Sequence, residues 1–101
     1  MTKSLGIFVS SDKHLDKLIE VCKAARKKGV RVTIFLTHFG VLLTKTSRFQ
    51  ELQGLAGISL CRVAFEGQGL APPVSGIDEK DYATQARHGE IIEDCKRYLV
   101  F

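Results

Sequence analysis

No Cys-x-x-Cys pair occurs in this chain of 101 residues. Its three cysteines, Cys22, Cys61 and Cys95, are odd in number and widely spaced. That pattern offers neither a zinc knuckle nor a dithiol redox motif, and it argues against a disulfide framework. A reducing compartment suits such thiols best. Long apolar runs are missing too. The segment from Met1 to Ser10 carries one lysine and a five-residue apolar run interrupted by Gly6. This is too short for a signal peptide, and no stretch approaches a membrane span. The expectation is a soluble, cytoplasmic protein with no membrane partner. Internal repeats, linkers and low-complexity segments are also lacking.

The charge balance excludes little. A net charge of +4 permits an acidic partner. The basic residues are not interleaved with aromatics, and their main cluster falls on one predicted helix, so no nucleic-acid interface is expected. Hydrophobic residues make up 45% and charged residues 26%, which places the chain among globular domains rather than disordered ones. Its length suits one domain spanning residues 1–101.

Leu5-Gly6-Ile7-Phe8-Val9 reads as a strand buried on both faces. Ser10-Ser11-Asp12 marks the turn into a helix running to about Lys28, with Leu15, Leu18, Ile19, Cys22 and Ala25 on one face. Val30 to Leu36 is rich in β-branched residues and forms the second strand. Val41 to Lys45 suggests a short helix, and Phe49, Leu52 and Leu55 suggest another turn or two. The third strand is Ile58 onward. A long loop without regular structure occupies Glu66 to Ile77, with three glycines and Pro72-Pro73. Asp78 is expected to cap a helix whose apolar face is Tyr82, Ala83 and Ala86. Ile91, Ile92 and Cys95 continue an apolar stripe, and Tyr98 to Phe101 ends the chain as a strand. The order predicts an α/β fold: a single three-layer domain with a mainly parallel, four- to five-stranded sheet and helices on both faces.

Ligands bind beyond the carboxyl ends of the strands in such a sheet. The rule selects Ser10 and Ser11, Thr37 and His38, and Cys61 with Arg62 and the turn at Gly67 and Gly69. If the third strand ends at Leu60 and Arg62 to Glu66 form a short helix, Cys61 lies at a helix start, where unpaired N–H groups and Arg62 favour a thiolate. If the strand continues to Ala64, Cys61 is a packing residue, as free cysteines often are. Residue pattern alone leaves both open. His38 is available as a base or polar gate; His14 and His88 read as surface or packing residues. With no carboxylate or cysteine at ligand spacing, no metal site and no cofactor is expected. Gly67-Gln68-Gly69 lacks a third glycine and runs into prolines, and Thr44-Lys45-Thr46 lacks the glycine frame of a P-loop.

The strand Leu5 to Val9, the strand Val30 to Leu36 with its short following helix, and Cys61 followed by Val63-Ala64 and Gly69 resemble the DsrE/DsrF-like family of sulfur-relay proteins, TusD type included. The resemblance implies a small α/β domain assembled as trimers or hexamers. It also implies a persulfide carried on Cys61, with sulfur donor and acceptor proteins as partners. Where relay members tend to carry a basic pair before the glycine, this chain has Gly67 and Gln68. Some relatives lack the cysteine and serve as assembly subunits. Two function classes therefore stand side by side. One is a sulfur carrier or sulfurtransferase on Cys61, framed by Thr37, His38 and the loop of residues 67–76. The other is a non-catalytic oligomeric subunit or small-ligand-binding module. A thiol peroxidase is a third reading and needs Cys95 to approach Cys61.

Overall fold

Strands that are apolar at successive positions send alternate side chains into two different layers. Here three such strands stand side by side. The computed structural model describes residues 4–101; Met1 to Lys3, the start of the segment weighed as a targeting signal, lie outside them. Among the described residues, β1 (Ser4–Val9), β2 (Arg31–Leu36), β3 (Gly57–Cys61), β4 (Tyr82–Ala83) and β5 (Arg97–Val100) form one sheet. The strand order is β4-β3-β2-β1-β5, and every pairing is parallel. No described helix is long and apolar enough to cross a membrane.

One face of the sheet presents Ile7, Val9, Val32, Ile34, Leu36, Ile58 and Leu60. Against it pack helix α1 (Leu15–Lys27), through Leu18, Ile19, Cys22 and Ala25, and two 3-10 stretches at His38–Lys45 and Ser47–Leu52. Helix α2 (Arg62–Gly67) adds Phe65 to the same layer. The other face presents Phe8, Phe35 and Cys61, and helix α3 (Gln85–Asp94) covers it through Ile91. Gly6 lets α3 approach, since any side chain there would overlap Ile91.

The chain steps across the sheet from β1 to β4 with its connections on the α1 side. It then recrosses from β4 to β5 through α3 on the opposite side. Strand order therefore reverses at the β1–β5 boundary, the topological switch point of this sheet.

Three elements differ from the sequence expectation. α1 begins at Leu15 rather than near Asp12, because residues 10–14 form a turn in which the Lys13 N–H donates to Ser11 Oγ. The predicted short helices are 3-10 rather than α. The helix expected from Asp78 is a single 3-10 turn at Glu79–Asp81, followed by β4. Tyr82 leaves the helical path because its ring packs edge-on against Phe65 and its hydroxyl accepts from the Val74 N–H at 2.8 Å. Thr84 then caps α3, its Oγ1 accepting from the Ala86 N–H. Helix α3 continues through Gly89 without a break.

Candidate functional site at the carboxyl rim of the sheet

β3 ends at Cys61, and α2 begins at the next residue. Cys61 is thus the residue that turns the chain from strand to helix, at the carboxyl rim. Its side chain follows the alternation of β3 onto the α3 face, where it is 5% exposed and packs with Phe8, Phe35 and Ile91. The strand stops between the two expected ends, one residue past Leu60 and three short of Ala64, and the thiol is buried.

The residues around this turn have separate tasks. The Arg62 guanidinium is turned onto Tyr82, 5.7 Å from the ring centre, with Nε 3.5 Å from the Tyr82 carbonyl oxygen. It lines a hollow of about 370 Å³ with Pro72, Pro73 and Ile77. Gly67 is the last residue of α2. Gly69 has φ +77°, its N–H donates to the Glu66 carbonyl, and the Leu70 N–H donates to that of Phe65. These paired bonds are a Schellman motif, which needs a left-handed residue at that point. Gly69 therefore stops a helix. The loop beyond it is tied to the core by Leu70, Val74 and Ile77.

Thr37 continues β2 by one residue. It is extended (φ −142°, ψ 168°), and its N–H donates to the Val9 carbonyl at 2.9 Å. Since Leu36 pairs with Leu60, Thr37 stands opposite Cys61, one strand spacing of about 4.8 Å away. Thr37 Oγ1 accepts from Gln85 Nε2 at 3.2 Å, which joins the rim to the first turn of α3.

On the α3 side, Thr37 opens into a cleft of about 570 Å³. Ser10, Thr37, His38, Gln85 and His88 form its polar wall, and Phe8, Ile92, Tyr98 and Val100 its apolar one. The cleft lies at the switch point, since Ser10 follows β1 and Val100 ends β5. Ser10 is held there by its N–H, which donates to the Phe101 carbonyl at 2.8 Å. His38 has φ +49°, a left-handed backbone for a non-glycine residue. The turn is forced by Gly40, whose N–H donates to the Thr37 carbonyl and whose Cα lies so near the Val9 backbone that no Cβ would fit. His88 rests on Phe8 (centroids 4.0 Å) and Phe35 (5.9 Å).

The structure thus brings Ser10, Thr37 and His38 together in one cleft. Cys61, Gly67 and Gly69 do not line it, and Ser11 serves the turn before α1. His88 and Gln85 are the cleft residues that sequence reasoning missed. His88 shares a helix face with Ile91 and Cys95 at spacings of three and seven, which was the available signal. Gln85 was hidden by the misplaced start of α3.

The remaining cysteines are distant or inert. Burial pushes the Cys22 thiol from its ordinary 9.0 up to about 11. Cys95 lies over Gly6, which pairs through Thr33 with Gly57, four residues before Cys61. Four residues along a strand and two strands across separate the thiols by roughly 16 Å, on strand rises of about 3.3 Å and spacings of about 4.8 Å. A disulfide needs Cα atoms within about 7 Å, so Cys95 is not placed to resolve Cys61. No group of three or more metal-ligating side chains occurs among the described residues.

The chain matches no protein-family model and no curated protein.

Proposed function

We propose that the chain is a thiol-based sulfur carrier that holds sulfane sulfur as a persulfide on Cys61. The observation that carries this reading is the position of Cys61 as the last residue of β3, where the strand gives way to α2 at the ligand-binding rim of a parallel sheet. The likeness of Cys61 and its following segment to the strand-end cysteine of the DsrE/DsrF-like family supports it, and brings sulfur donor and acceptor proteins as partners. In the first step the Cys61 thiolate attacks the outer sulfur of a donor persulfide, R–S–SH. A new S–S bond forms, the donor's S–S bond breaks, and R–S⁻ leaves with the electron pair. An acceptor thiolate then removes the outer sulfur and returns Cys61 as thiolate. Because Cys61 lies under α3, either step requires that helix to lift. Ile91 is the one buried residue of α3, and the motion must also break the contacts of Gln85 with Thr37 and of His88 with Phe8 and Phe35.

The test is to load the protein with a persulfide donor and weigh it intact. The expected result is a gain of one sulfur atom that Cys61→Ser abolishes and Cys95→Ser leaves in place. No gain, or a gain that survives Cys61→Ser, overturns the reading.

The near-complete burial of Cys61 favours a second reading, a non-catalytic subunit in which the thiol only packs. Alkylation of Cys61 no faster than global unfolding supports that alternative. An assembly of identical chains, trimer or hexamer, belongs to both. Exposed Tyr98, Leu99 and Val100 on the edge strand β5 support it, and light scattering that finds only monomer counts against it.

A further inference from the structure

We infer that the cleft between α3 and the ends of β1, β2 and β5 is a binding site for a small organic anion with an apolar body. This inference does not rest on the chemistry of Cys61. Three separate observations converge on it. The cleft stands at the topological switch point, where open parallel sheets bind ligands. Its volume of about 570 Å³ can take a small molecule, as can hollows of similar size elsewhere on the chain. Its turn holds His38 in a left-handed backbone that an L-residue adopts only at a cost, and strain of this kind clusters at ligand-binding and active sites.

The lining selects the ligand. One wall is carbon: Phe8, Ile92, Tyr98 and Val100. The other offers the His38 and His88 imidazoles, while the Ser10 hydroxyl is turned to the Phe101 main-chain oxygen at 3.4 Å and the Gln85 amide to Thr37 Oγ1 at 3.2 Å. No Asp or Glu side chain lines the cleft, and the chain as a whole carries a net charge of +4. An imidazole can donate a hydrogen bond in either protonation state, so two of them facing one cleft suit an oxyanion. The stacking of His88 on Phe8 and Phe35 fixes its ring in place before any ligand arrives. An aromatic or aliphatic carboxylate fits both walls: its carbon body lies against Tyr98 and Val100 and its head faces the histidines.

The experiment is an amide chemical-shift titration of the full chain with 3-phenylpropionate, set against the neutral 3-phenylpropan-1-ol, at about pH 6. The expected result is saturable binding of the acid, with shifts concentrated at Ser10, Thr37, His38 and His88. The alcohol is expected to bind about tenfold more weakly, the difference one charge-assisted hydrogen bond makes. His38→Gln, a surface change that spares the core, should weaken the acid by a similar factor. Cys61→Ser should leave it unchanged, which separates this site from the sulfur-carrier reading. Equal affinity for acid and alcohol, shifts centred outside the cleft, or no saturation overturns the proposal.

Discussion

On the α1 side of the sheet, Ile7, Val9, Ile34 and Leu36 meet Leu18, Ile19, Phe49 and Leu52 in a layer closed to solvent. On the α3 side, Phe8, Phe35 and Cys61 meet one buried helix residue, Ile91, and the layer then opens into a cleft with polar walls. Both layers grow from the same three strands, so the difference lies in what the connections bring to them. The first face is covered by α1, two 3-10 stretches and Phe65, each contributing large apolar groups worth about 1.5–3 kcal/mol apiece when buried. The second is covered by one helix of ten residues. Stability is concentrated on one side of the sheet, which leaves the other free to carry groups that a sealed core would exclude: two histidines, a threonine and a cysteine at the rim.

The largest test of this division compares one truncation on each face. Phe49→Ala should cost about 4 kcal/mol, and Ile91→Ala about 2 kcal/mol, because α3 can settle into the space that Ile91 leaves. Urea denaturation with matched slopes reads both. Equal losses would break the comparison.

Gly40→Ala probes the joint between the faces. Gly40 is pressed against the backbone of Val9, so an added methyl group must displace the turn that carries His38. A loss of about 3 kcal/mol is expected, with amide shifts at Ser10 and His38 marking where the strain goes. A neutral effect would mean that the rim is more pliable than its packing indicates.

A third measurement uses pH. Burial raises Cys22 from its ordinary 9.0 to about 11, so the thiol stays neutral in the folded chain after it has ionised in the unfolded one. The stability tied to the neutral thiol is complete below about pH 9 and is lost as pH climbs from there toward about 11. The loss should be on the order of 2 kcal/mol, and Cys22→Ala should flatten that part of the profile despite its own packing cost. A profile unchanged by the substitution would remove Cys22 from the sealed layer.

The sealed side was also the legible one. Leu15, Leu18, Ile19, Cys22 and Ala25 announce α1 by spacing alone, and the β-branched run before Leu36 announces β2. The end of β3 was narrowed to a few residues around Cys61, and the structure stops it there. The open side was harder to read for a physical reason. Tyr82 is set in a strand by Phe65 and Val74, partners that lie 17 and 8 residues earlier in the chain, and nothing local opposes the helix that Asp78 suggests. Once that start was misplaced, Thr84 as a cap and Gln85 at the rim could not be seen, while His88, read as a surface or packing residue, packs over Phe8 and Phe35. Gly69 shows the reverse case. A glycine legible from its position as part of a site is explained by the stop it gives α2.

The smallest effect is the most discriminating. His38 holds a left-handed backbone at φ +49°. Glycine adopts that conformation freely, so His38→Gly removes a strain of about 1–2 kcal/mol and adds the roughly 0.5–1 kcal/mol cost of ordering a glycine. The protein should become more stable by up to about 1.5 kcal/mol, seen as a higher urea midpoint at unchanged slope. The same substitution strips an imidazole from the cleft and should weaken an organic anion about tenfold. A residue kept only for packing gives no reason for those two results to point in opposite directions. Were the variant less stable, the turn at Thr37 to Gly40 would owe its shape to the His38 side chain, and the open face would be holding itself together rather than holding a ligand.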